Sequence, residues 1–160
     1  MTVLLQNEYL TVTADPDRSL VRTTRSEIAL PSPDEFIRVH TEALQIYESL
    51  VRGRLGHLVD LRQVPMNNDP AFEAATQRIR GMLVQDFAAV ALVVRTAVGA
   101  LQVKRLVRET HSDNVVIFHD EDAAMAFLAE VLGARASRIS LLPGGPARST
   151  RPPARTAKGR

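Results

Sequence analysis

Apolar residues recur along this chain with two periods, close to two in some stretches and near 3.6 in others. The switches between them divide it into elements. Residues 3–13, VLLQNEYLTVT, partly alternate and are rich in Val, Leu, Tyr and Thr, which predicts a strand. A polar turn at residues 15–19, DPDRS, follows. LVRTTRSEIAL, residues 20–30, then predicts a second strand, forming an antiparallel hairpin with charged residues on its exposed face. Pro31 and Pro33 stop it.

Ser32 can cap the next segment, with Pro33 at the first helical position and Glu35 spaced for a capping box. Phe36, Val39, Ala43, Tyr47 and Leu50, widened by Ile46 and Val51, form the stripe of a helix over residues 33–52. Gly53 and Gly56 end it. HLVDLR, residues 57–62, reads as a buried strand, and Asp69-Pro70 opens a second helix with Phe72, Ala75, Ile79, Met82 and Leu83 inward. The unbroken apolar run AAVALVV, residues 88–94, has the length of a strand covered on both faces.

Thr96 can cap a third helix over residues 97–109, which carries Lys104, Arg105 and Arg108 near its end, where they suit the macrodipole. NVVIF, residues 114–118, is the last strand. A final helix follows from the cap Asp120, with Ala124, Phe127, Leu128 and Val131 inward and Gly133 as its stop. The order β-β-α-β-α-β-α-β-α predicts an α/β fold: a mixed, mostly parallel open sheet with an antiparallel N-terminal hairpin, about four helices and right-handed crossovers.

At 160 residues the chain suits one domain over 1–133 and a tail over 134–160. Without cysteine it has no disulfide framework, thiolate metal site or Cys nucleophile. No signal peptide is read at its start, and no stretch approaches the ~20 apolar residues of a membrane span. A cytoplasmic protein is expected. The net charge of +2 hides an asymmetry: residues 1–133 carry 13 basic and 18 acidic groups, and the rest carry seven basic groups and no acid. The folded part therefore lacks the footprint of a nucleic-acid binder. The tail cations, among them Arg148, Arg151, Arg155, Lys158 and Arg160, can hold phosphate surfaces non-specifically. With little to bury, residues 141–160 are expected to be disordered.

GHLVDLRQV, the Asn68-Asp69-Pro70 turn, AAVALVV and NVVIFHDEDAAMAFL resemble, over residues 3–132, the STAS domain of anti-sigma-factor antagonists and its bacterial STAS/CRAL-TRIO-like relatives. The resemblance implies a non-enzymatic, regulatory protein–protein interaction module. In antagonists the turn before the second helix, or the start of that helix, carries a Ser or Thr that a partner kinase phosphorylates. Met66-Asn67-Asn68-Asp69-Pro70 has no hydroxyl, and the nearest, Thr76, is predicted two turns into the helix. Asp69 offers a standing negative charge, which capping explains equally well.

Candidate chemistry is sparse. Asp60, inside a buried strand pattern, must be paired, with Arg62 on the same side and Arg95 as alternatives. Asn67, Asn68 and Asp69 are turn and cap formers. If they are functional, they and the helix N–H groups make a recognition surface flanked by Arg62, Arg95 and Thr96, at the carboxyl edge of the strands. His40, His57, His111 and His119 have no zinc spacing, no phosphate-loop or nucleophile-elbow motif occurs, and Gly144-Gly145 follows no strand. No cofactor is expected. The surface would bind another protein, a regulator or kinase-like partner, and the hairpin edge could pair with a second copy. The alternative, suggested by the CRAL-TRIO-like relatives, is a carrier of a small apolar or amphipathic ligand, with a cavity lined by Phe36, Tyr47, Phe72 and Met82. An enzyme using Asp60 or Asp69 would lack a second catalytic member.

Overall fold

The structure, a computed structural model, describes residues 1–140. The expectations for the tail, from Gly144 and Gly145 to Arg148, Arg151, Arg155, Lys158 and Arg160, lie outside the described residues. The expected α/β fold is present: a six-stranded mixed sheet, in the order of the chain, with four α-helices.

The first expected strand is two. Strands β1 (Thr2–Gln6) and β2 (Leu10–Asp15) are separated by a reversal at Asn7, whose side-chain oxygen accepts from the backbone N–H groups of Tyr9 and Leu10 at 2.9 and 3.0 Å. This short polar bond breaks a run that looked continuous. Strand β3 (Leu20–Arg25) stops earlier than expected, and the following Ile28 is exposed. β1, β2 and β3 pair antiparallel, whereas β3, β4 (Gly56–Asp60), β5 (Ala89–Val93) and β6 (Val115–Phe118) run parallel.

Three helices cross between the parallel strands: α1 (Pro33–Glu48), α2 (Pro70–Val84) and α3 (Ala97–Glu109). Successive right-handed crossovers in one direction put them all on one face of the sheet. Helix α4 (Glu121–Ser140) lies on the other, where Ala124 and Leu128 pack on Leu20, Leu58, Ala89 and Val93. Gly133 does not stop this helix, which runs on to Ser140 and carries Arg135 to the carbonyl of Gly53. Gly56 lets α4 approach: a Cβ there would stand 3.3 Å from Leu132 Cδ1.

The caps are those expected. Ser32 accepts from Glu35 N–H, Asp69 from Ala71, Thr96 from Gly99 and Asp120 from Ala123. The Ser32 box is only half closed, because the Glu35 carboxylate binds Arg38 instead. α1 ends at Glu48, short of the expected residue 52, and a 3₁₀ turn (Arg52–Arg54) follows it. In α2, Ala75 is exposed and Thr76 takes the buried position.

Register assigns the faces. Thr23, Val59, Leu92 and Ile117 align across the parallel strands, as do Val21, His57, Val90 and Val115 in the next row. Both rows face α1, α2 and α3, because side chains on a strand alternate between faces. Leu58, Asp60, Ala91 and Val93 face α4. No helix among the described residues is long and apolar enough to cross a membrane.

Candidate functional site

Between the sheet and α1, α2 and α3 lies a cavity of about 400 Å³. Its floor is Thr23, His57, Val59 and Leu92, and its walls include Phe36 and Tyr47 of α1, Phe72 and Leu83 of α2, and Val103 and Leu106 of α3. It occupies the carboxyl end of the parallel strands, where open α/β sheets hold ligands. Its exposed lining residues, Ala29, Pro65, Met66, Asn67, Arg95 and Thr96, mark a mouth bordered by the β3–α1 connection, the β4–α2 loop and the β5–α3 turn. Val59 is only half-buried in mid-sheet, since this space lies over it.

The polar groups are few and fixed. Thr23 Oγ1 is hydrogen-bonded to the Tyr47 hydroxyl and lies 2.9 Å from His57 Nε2. His57 is 1% exposed and its Nδ1 has no hydrogen-bond partner. Burial depresses its pKa to about 3, so the ring is neutral at physiological pH.

Nearer the carboxyl edge, Arg25 is 6% exposed. Its Nε–H donates to the Tyr9 carbonyl at 3.2 Å, and its Nη1 lies 3.4 Å from His40 Nε2. His40 Nδ1–H donates to the Phe36 carbonyl at 2.8 Å, which leaves Nε2 as the acceptor facing Arg25. Burial, with Arg25 adding to it, depresses the His40 pKa to about 3. The imidazole stacks on Phe36 with centroids 3.9 Å apart, and the Arg80 guanidinium carbon lies 4.9 Å from the Phe36 centroid. Arg80 Nε–H donates to Thr76 Oγ1 at 3.0 Å. Neither Arg25 nor Arg80 forms a salt bridge among the described residues. Burial lowers both arginine pKa values, that of Arg25 to about 10 with the charge of Arg80 contributing, while the Glu73 charge partly opposes the shift of Arg80.

The expected site residues divide. Asn67, Arg95 and Thr96 do line the mouth, with Asn68 and Asp69 exposed beyond it. Asn67 accepts Asp69 N–H with its side chain and, through its carbonyl, Gln102 Nε2 at 2.6 Å, which ties the loop to α3. Arg62 also lines the cavity, but its guanidinium is held by acids on the other side of the sheet. Together with Arg22 it binds Asp60 and Glu121 on the α4 face: Arg62 Nη2 is 2.6 Å from Asp60 Oδ2 and 2.6 Å from Glu121 Oε2, and Arg22 Nη2 is 3.2 Å from each. Arg22 Nη1 also binds Glu121 Oε1. The partners of Asp60 are therefore Arg62 and Arg22, and not Arg95. The Arg62 hydrogen bonds hold Asp60 below the usual carboxylate range, and those of Arg22 do the same for Glu121.

Thr76 is fully buried, and its hydroxyl is shared between the Phe72 carbonyl and Arg80, so no kinase can reach it in the folded chain. Of the proposed cavity lining, Phe36, Tyr47 and Phe72 are present. Met82 packs against the main core cluster and does not line the cavity. His111, in the turn after α3, and His119, before α4, are exposed. Lys104, Arg105 and Arg108 are all exposed, and Arg105 binds Glu73 at 2.7 Å. No three His, Cys, Asp or Glu side chains among the described residues gather as a metal site would need.

Sequence reasoning missed Arg25 and Arg80. Both carried a signal: Arg25 shares parity with Val21 and Thr23 on one strand face, and Arg80 continues the Phe72–Thr76 stripe. The arrangement is a cavity of about 400 Å³ at the carboxyl edge of an open α/β sheet. Comparison with family models, with curated proteins and with solved structures returns no match for this chain.

Proposed function

We propose that this chain is a non-enzymatic, cytoplasmic carrier of a small apolar or amphipathic ligand, held between the sheet and α1, α2 and α3. One observation carries the reading: a domain this small keeps about 400 Å³ open in what would otherwise be its main core. Interiors ordinarily close such space, because unfilled volume forfeits packing. Catalysis is disfavoured by the same geometry. The two histidines beside the cavity are neutral and bonded within the fold, and Asp60 is spent on the opposite face.

The test is native mass spectrometry of the full chain titrated with decan-1-ol. A one-to-one adduct is expected, and it is lost in Val59→Phe, which fills the cavity floor. Absence of the adduct from the wild type, or its full retention in the variant, overturns the carrier reading.

A second reading, a STAS-like regulatory module that binds a protein, is favoured by the mouth's surroundings. Met66 is 53% exposed, Val98 60% and Leu101 69%, and all three lie close in sequence to the Asn67–Gln102 bond. Under it, Val98→Ser combined with Leu101→Ser, neither of which lines the cavity, abolishes partner binding and leaves the decanol adduct intact. Loss of neither sinks it.

A further inference from the structure

Among the described residues, the half-buried and buried arginines are paired with acids, with two exceptions that share one cavity. Arg22 and Arg62 meet Asp60 and Glu121, and Arg52 meets Asp86. Arg25 and Arg80 form no salt bridge among the described residues, although both line the cavity and Arg25 is almost wholly removed from bulk water; only the more distant charge of Glu73, itself bonded to Arg105, reaches Arg80. Holding an unanswered guanidinium in such a place is costly. It is also well organised: Tyr9 and His40 fix Arg25, while Thr76 and the Phe36 ring fix Arg80. Each bond named uses one N–H of a five-donor fork, so each guanidinium keeps donors to offer.

Fixed, planar, dry and unpaired, such forks suit a pair of anionic oxygens. The surfaces beside them are Leu61, Val64, Leu83, Leu92, Val94 and Val103, which suit hydrocarbon. The cavity equals roughly a dozen water volumes, so its occupant has on the order of a dozen non-hydrogen atoms.

We propose that Arg25 and Arg80 form the head-group site of this cavity, and that its ligand is a single-chain amphiphile of medium length with an anionic head, carboxylate or phosphate monoester. The proposal rests on the carrier reading and narrows it. Tail packing supplies a charge-blind part of the affinity, and the two guanidiniums supply a part that only an anion receives.

Calorimetric titration of the full chain with decan-1-ol, decanoate and decyl phosphate separates these parts. At least one anion should bind about tenfold or more tighter than the alcohol, as expected for charge-assisted bonds in a dry site. Which anion gains more tells the two heads apart. In Arg80→Met the ratio of anion to alcohol affinity should fall several-fold, and Arg80→Lys should restore part of it. If the alcohol binds as tightly as both anions, or the ratio survives Arg80→Met, the head-group site is wrong while the carrier reading stands. If none of the three binds, both fall. The wild-type ratio decides the matter even if a variant fails to fold.

Discussion

Two groups of arginines sit on opposite faces of one sheet, and they treat charge in opposite ways. On the α4 face, Arg22 and Arg62 close on Asp60 and Glu121, two cations against two anions. On the cavity face, Arg25 and Arg80 are held by a carbonyl, an imidazole, a hydroxyl and a ring, none of which carries a negative charge. The first group is complete and serves the fold. The second leaves a positive potential at the edge of an apolar space. One strand supplies a member to each, Arg22 and Arg25, because an odd separation along a strand puts side chains on opposite faces.

Acid separates the two regions most strongly. His40 and His57, beside the cavity, have folded pKa values of about 3, below the ~6.5 of an unfolded histidine. The unfolded chain therefore takes up protons first, and stability is lost as pH falls from about 6.5 toward about 3. Each histidine contributes a slope on the order of 1 kcal/mol per pH unit. Asp60 and Glu121 are depressed carboxylates, so their contribution is present above the unfolded value and lost only below about pH 4. Urea denaturation at stepped pH should thus show loss beginning near neutrality, with His40→Gln roughly halving the slope above about pH 4.5. A flat profile down to about pH 4.5 would refute this account of the cavity side.

Next in size is Asp60→Ala. It leaves Arg22 and Arg62 to share Glu121 alone beneath α4, and the expected loss is on the order of 2 kcal/mol by urea denaturation at pH 7. Asp60→Asn should cost less, since an amide still accepts from one guanidinium. A loss under about 0.5 kcal/mol for the alanine variant would mean that the cluster is only a surface network.

These two regions were unequally legible in the sequence. Asp60 and Arg62 stand two apart in a strand pattern, and that local rule alone predicts their meeting. Their partners Arg22 and Glu121 come from β3 and the start of α4, so only the register of the folded sheet adds them. The caps at Ser32, Asp69, Thr96 and Asp120 were readable because capping is a contact between near neighbours. Asn7 hid within a run of strand formers, and Gly133 looked like a stop but lies inside a helix. The cavity was named only as an alternative, and Phe36, Tyr47 and Phe72 of its expected lining are in place, but whether the space stays open was out of reach. The cavity is a shortfall of volume among residues from three helices and three strands, and an apolar stripe reads alike whether or not it closes on its neighbour.

Filling that shortfall should cost little. Val59→Phe places a larger apolar side chain over the cavity floor, and the change in unfolding free energy should stay within about 1 kcal/mol. A loss of ~3 kcal/mol would instead indicate overpacking of a site with no room, and would deny the cavity.

The smallest effect on stability is the most informative about the comparison. Arg80→Met removes a charge as Asp60→Ala does, yet the charge it removes is unanswered. The variant forfeits the contact with the Phe36 ring, worth about 0.5–1 kcal/mol, and the bond to Thr76, whose hydroxyl still donates to the Phe72 carbonyl. Against this it relieves the desolvation that depresses the arginine pKa. The two should nearly cancel, giving a change within about 0.5 kcal/mol in the unliganded protein. In saturating decanoate the balance shifts. Ligand that binds only the folded state raises its stability by RT ln(1 + [L]/Kd), so the wild type, with the lower Kd, gains more than the variant and the gap between them opens. A gap already wide without ligand would assign Arg80 to the fold, alongside Arg22 and Arg62. A gap that opens only with the anion assigns it to the ligand.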